Sequence, residues 1–115
     1  MTPYASTAVA FASALVDADF DRAHSLLTPG LRADLTPADL RDRLHQMFSG
    51  YADGAPVRFH FDEEFCLEEW PDKQTGDVGW AYVSVEGEDF VEAVSVVVAS
   101  VDGALLIRNI EWGRP

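Results

Sequence analysis

The sequence predicts an α+β domain: N-terminal helices packed on one face of an antiparallel sheet of about four strands. Three observations carry this. Helical spacing and helical punctuation fill residues 3–51; from Val57 the apolar period changes to two and holds to Glu111-Trp112-Gly113-Arg114-Pro115; and hairpin residues separate the later period-two runs. Helices first and strands afterwards, without alternation, places the helices together on one side of the sheet.

The first helix has Tyr4, Ala8, Phe11 and Leu15 on one stripe, at spacings of four, three and four. Asp17-Ala18-Asp19 interrupts it, and Asp19 is a suitable N-cap for a short second helix carrying Phe20, Ala23, Leu26 and Leu27. Thr28-Pro29-Gly30 is expected to end that helix. The third has the clearest start: Thr36 as N-cap, Pro37 at the first helical position, and Asp39 in the first turn near the positive end of the dipole. Leu40, Leu44, Met47, Phe48 and Tyr51 follow at helical spacing, and Gly50 and Asp53-Gly54 close the helical half.

In the first strand, alternation sets Phe59, Phe61, Phe65 and Leu67 against Arg58, His60, Asp62, Glu64 and Glu68. Residues 71–76 form a polar turn. The second strand, 78–86, contains Trp80, Tyr82, Val83 and Val85, and Gly87-Glu88-Asp89 turns the chain. The third, 90–101, is apolar on both sides, which predicts a central strand covered on both faces. Asp102-Gly103 is a strong hairpin signal. The last strand, 104–112, sets Leu105 and Ile107 on one face against Leu106, Ile110 and Trp112 on the other. Helices shield only one face of such a sheet, so a homodimer through the outer sheet face is expected to cover the other, unless twist and the helix ends absorb it.

At 115 residues and 48% hydrophobic, the chain reads as one domain, 1–115, with a core that needs neither metal nor disulfide. The single cysteine, Cys66, fits a reducing cytoplasm. The apolar stretch from Thr7 to Val16 has no basic residue before it, so it reads as an amphipathic helix rather than a signal peptide, and it is too short to span a bilayer. Net charge is −12 and uneven: residues 1–55 hold four Arg against seven Asp, while 56–115 hold four basic against thirteen acidic residues. That sign argues against nucleic acid and anionic membrane as partners and leaves a basic protein open, or simple solubility.

Among candidate chemical groups, Glu63 stands out. Strict alternation sets its carboxylate on the apolar face among phenylalanines, where a raised pKa would suit a general acid or base. A β-bulge at Asp62-Glu63-Glu64 would instead turn it outward. His60, Asp62 and Glu64 share a face, but along a straight strand they spread over about 13 Å, so no metal site is expected. Trp80, Tyr82, Asn109 and Glu111 offer the aromatic wall and few polar anchors of a small-ligand site, or else ordinary packing. His45 lies off its helix's apolar stripe and His24 has no catalytic neighbour. Cys66 falls on the polar side, with no arrangement suggesting a nucleophile. No phosphate loop, nucleophile elbow or zinc pattern is present, and no cofactor is expected.

Ala8-Val9-Ala10-Phe11-Ala12-Ser13-Ala14-Leu15 before Asp19-Phe20-Asp21-Arg22-Ala23, then Leu26-Leu27-Thr28-Pro29 and valine-rich hairpin strands, follow one another as in a known superfamily. In this order the chain resembles the nuclear transport factor 2-like superfamily, also called cystatin-like or ketosteroid-isomerase-like. The resemblance implies a curved sheet wrapped around a long helix, a cystatin-like cone with an internal pocket, and frequent dimerisation through the outer sheet face. It leaves function open across isomerases, dehydratases, ligand binders, docking modules and immunity proteins. Phe59, Phe61, Glu63, Trp80, Tyr82, Asn109 and Glu111 are the pocket candidates, and whether Phe59, Phe61, Phe65, Trp80 and Phe90 plug the cone is open. The resulting expectation is a non-catalytic, homodimeric binding module for a small apolar ligand or a protein partner. A small pocket enzyme of isomerase or dehydratase type, using Glu63, Tyr82 or Glu111, is the alternative, and an acidic immunity-type inhibitor of a basic protein is a further one.

Overall fold

The structure, a computed structural model, describes residues 1–50 and 55–113. Tyr51, Asp53-Gly54 and Arg114-Pro115, which enter the sequence reading above, lie outside the described residues. The fold is α+β, as predicted: α1 (Pro3–Val16), α2 (Phe20–Ser25), α3 (Pro29–Asp34) and α4 (Pro37–Met47) precede β1 (Arg58–Phe61), β2 (Asp77–Glu86), β3 (Val91–Val101) and β4 (Ala104–Trp112). The strands form one antiparallel sheet in the order β1-β2-β3-β4. Among the described residues, no helix is long and apolar enough to cross a membrane.

Local chemistry starts each helix. Thr2 caps α1, accepting a hydrogen bond from the Ala5 N–H, and Asp19 caps α2, accepting from the Arg22 N–H. Between them Ala18 takes φ 55°, a left-handed turn that ends α1 as the Asp19 N–H donates to the Ala14 carbonyl. Thr36 and Asp39 cap α4 reciprocally. Thr28-Pro29 does not merely end α2: Thr28 accepts from the Leu31 N–H and starts α3, with the same Thr-Pro device that opens α4. The link between α2 and α3 also bridges to β4, where the Thr28 N–H donates to the Ile107 carbonyl and the Ile107 N–H to that of Leu26. Part of an edge strand is thereby covered.

The core lies between the helices and one sheet face. Phe11, Leu15, Leu27, Leu40, Leu44 and Phe48 pack there with Ala81, Val83, Val85, Val94, Val96, Val98 and Ile107. Burying each large side chain of this set contributes about 1.5–3 kcal/mol. The β2–β3 loop and the two-residue Asp102-Gly103 turn fall where expected, the latter with φ 51° and 84°, as a type I′ hairpin requires.

Three irregularities shift the strand phase and correct the expected faces. A 3-10 turn at Glu63–Phe65 replaces continued alternation after Phe61. Beyond it Cys66 packs against the core, while Leu67 pairs with Trp80 on the opposite face and Phe65 stands beside Tyr82. A register shift in β4 opposite Val97 and Val98 brings Ile110 and Trp112 to the same core as Leu105 and Ile107. Another in β2, between Asp77 and Gly79, turns Asp77 away from the helices. Each inserts residues without a ladder partner, and an odd slip exchanges the faces downstream.

Candidate functional site

Among the described residues, large buried side chains occupy the space between the helices and the sheet, where an internal pocket was expected. Phe11, Phe48, Leu15, Leu27, Leu40 and Leu44 are all under 2% exposed. Phe59, Phe61 and Phe90 pack against this same core from its margin, and the Phe90 ring lies 5.0 Å from that of Phe48. The predicted pocket set therefore splits between the faces. Phe59 and Phe61 pair with Val85 and Val83 on the helix side, whereas Trp80, Tyr82, Asn109 and Glu111 lie on the outer face.

Glu63 joins neither group. It sits in the 3-10 turn, its side chain 53% exposed, and its Oε1 accepts from the Thr2 N–H at 3.1 Å. Of the two expectations for Glu63, the outward turn at residues 62–64 is the one observed, as a 3-10 turn rather than a β-bulge, because Asp62 caps it, its Oδ1 accepting from the Glu64 N–H at 2.9 Å. Cys66 is half-buried rather than on a wet face, and burial pushes its thiol above the ordinary value. A raised thiol pKa leaves little thiolate, so this is a poor nucleophile. Among the described residues, no group of three His, Cys, Asp or Glu side chains is placed to hold a metal ion.

Two open hollows share Trp80 on the outer face. One, of about 500 Å³, is lined by Glu64, Phe65, Leu67, Trp80, Tyr82 and Ser84. Its wall is aromatic: ring centroids lie 6.1 Å apart for Phe65 and Tyr82, and 6.3 Å apart for Trp80 and Tyr82. Phe65 and Leu67 remain 56% and 45% exposed, high for side chains of this kind. The other hollow, of about 430 Å³, is more polar and includes Trp70, Asp72, Gln74, Trp80, Asn109 and Glu111. Beneath them the outward side chains of β3 are buried: Ser95 is 1% exposed, Val97 5% and Ala99 6%. Aromatic neighbours on β2 and the segment 62–76 thus enclose much of the two-sided apolar strand within one chain. Among the described residues, nothing hydrogen-bonds the Ser95 hydroxyl.

The second hollow rests on an ion pair that the sequence reading missed. Arg108 donates from Nε to Asp77 Oδ1 at 2.7 Å and from Nη2 to Oδ2 at 2.8 Å, and the Gln74 N–H donates to Oδ2 at 2.8 Å. Burial by itself raises the Asp77 carboxyl, but the Arg108 hydrogen bonds, the Gln74 N–H and the nearby charges of Arg108 and Lys73 hold it below the ordinary carboxylate value. The one available signal was a charge inside the apolar run Leu105-Leu106-Ile107-Arg108.

Set against known proteins, the chain matches no family model, no curated protein and no solved structure.

Proposed function

We propose that this protein is a non-catalytic binding module of the cytoplasm that engages a protein partner through the outer face of its sheet. One observation carries the reading: among the described residues the helix-facing core is packed with buried side chains and has a hollow of about 300 Å³ only at its margin, beside Tyr4, Val78 and Leu105, while larger, aromatic-walled hollows lie on the opposite face. Exposed aromatic and leucine side chains beside polar groups are what protein interfaces use as anchors. The order of helices and hairpins supports placing the chain among nuclear transport factor 2-like folds, with the outer face in use rather than the cone interior.

A catalytic role finds less support, because Tyr82 lines one hollow and Glu111 the other, while Glu63 lines neither, so the three do not converge on one hollow. Self-association would use the same outer surface. A two-fold dimer there, however, would bring Glu64, Asp72 and Glu111 of each copy toward an equally acidic surface, which favours a different chain as partner. The test is site-specific photo-crosslinking in the native host. A cross-linking residue in place of Ser84 is expected to capture a discrete partner, and one in place of Arg41, exposed on α4, is not. Capture from Arg41 alone would reject the outer face.

A further inference from the structure

The outer hollows carry carboxylates that the fold itself leaves unused. Elsewhere on and near this face acids are matched: Asp77 with Arg108, Glu86 with Arg58 at 3.5 Å, and Glu69 with Lys73 at 2.9 Å. Glu64 in the first hollow, and Asp72 and Glu111 in the second, form no ion pair and accept no hydrogen bond from any described residue. Arg108, which lines the second hollow, is already engaged by both oxygens of Asp77. Both hollows are lined by Trp80, and taken together as a trough they offer aromatic side chains and three carboxylates that have no partner among the described residues.

We infer that this trough receives a basic segment of the partner protein, with arginine or lysine side chains laid against Trp80 and Tyr82 and their charges directed at Glu64, Asp72 and Glu111. The inference rests on the outer-face reading and adds the chemistry of what binds there. Cations are drawn to aromatic faces, and planar guanidinium groups both stack on rings and pair with carboxylates. Distribution of the charge points the same way. Because no three acidic or metal-ligating groups of the described residues converge, the trough suits a chain bearing charges at intervals rather than a compact ion. Phe65 and Leu67 supply apolar surface for the uncharged side chains between them. Net charge of −12 adds long-range attraction for such a segment and opposes a second copy of this chain.

The probe is a labelled, amidated hexapeptide in which three arginines alternate with three leucines, followed by fluorescence anisotropy. It is expected to bind with an affinity that weakens as salt is raised. Combining Glu64→Gln, Asp72→Asn and Glu111→Gln should weaken it at least about tenfold, as loss of several charge contacts implies. Asp34→Asn, Glu88→Gln and Asp102→Asn together change net charge by the same amount away from the trough and should leave binding unaltered. Three results would overturn the inference: no binding of the arginine peptide, equal binding of a counterpart with glutamates for arginines, or equal weakening by the control triple. Displacement by spermidine at matched charge concentration would also overturn it, by showing that any polyamine suffices. If the peptide fails while the cross-link from Ser84 persists, the cationic chemistry falls and the outer-face reading stands. Failure of both removes both.

Discussion

Arg108 of β4 reaches over β3 to Asp77 of β2 and closes on both carboxylate oxygens, at 2.7 and 2.8 Å, although 31 residues separate them. The Asp77 side chain is fully buried and that of Arg108 is 29% exposed. The phase slips in β2 and β4 lie alongside neighbouring residues of β3, and so the pair clamps three strands at one level. Arg108→Met keeps the length and apolar stem of the side chain but leaves a buried carboxylate without its cation. Chemical denaturation should register a loss of about 3 kcal/mol.

The same pair sets an acid limit. A folded-state pKa below the unfolded value means that the stabilisation is present at neutral pH and is lost as pH falls through the depressed folded pKa. The window therefore opens below about pH 4, the ordinary aspartate value, and extends downward. Melting temperature measured from pH 7 to pH 2 should fall more steeply in this window for the wild type than for Arg108→Met.

Gly79 is held to glycine by Tyr4. A Cβ on Gly79 would run into the Tyr4 ring, which is itself 7% exposed and has little room to retreat. Gly79→Ala should cost about 1–3 kcal/mol in denaturant unfolding, as overpacking does. Combining it with Tyr4→Leu should cost less than the sum of the two single changes, and strict additivity would contradict the contact.

Glu63, the most conspicuous carboxylate in the sequence, should prove dispensable to the fold. Its side chain is half-exposed, and the bond it accepts from the Thr2 N–H can equally be accepted by a glutamine oxygen. Glu63→Gln is expected to change unfolding free energy by less than about 0.5 kcal/mol, as exposed substitutions do. A larger loss would place Glu63 in a structural role that its exposure does not suggest.

Features written in a few adjacent residues were legible in the sequence. Thr36-Pro37, Asp19 and Asp102-Gly103 act through their own backbone neighbours, and alternation over 78–86 reports one strand against one core. Thr28-Pro29 is local too, but with Gly30 after it the same three residues fit a helix stop as well as the helix start they make. Phase slips were harder, because a single inserted residue exchanges every face beyond it. Unbroken alternation thus sets Phe65 and Leu67 in the core and Cys66 on the wet side, and separates Ile110 and Trp112 from Leu105 and Ile107, whereas the fold does the reverse. The candidate site was half legible. Trp80, Tyr82, Asn109 and Glu111 do share a face, but nothing in one strand's pattern reveals that the segment 62–76 folds beside them. The partnership of Asp77 and Arg108 exists only in the tertiary fold.

If the outer sheet face, and not the helix-facing interior, does the binding, a charged side chain placed on that face must abolish the complex. Native mass spectrometry of wild type and Tyr82→Arg, each purified gently from the protein's own host, tests it most directly. Tyr82 is half-buried on the aromatic wall, where an arginine can reach solvent and leave the core untouched. The predicted result is a wild-type complex with a different, basic chain that Tyr82→Arg loses while remaining folded. A bound mass retained equally by both, or a small adduct carried by both, would contradict the claim and return attention to the interior.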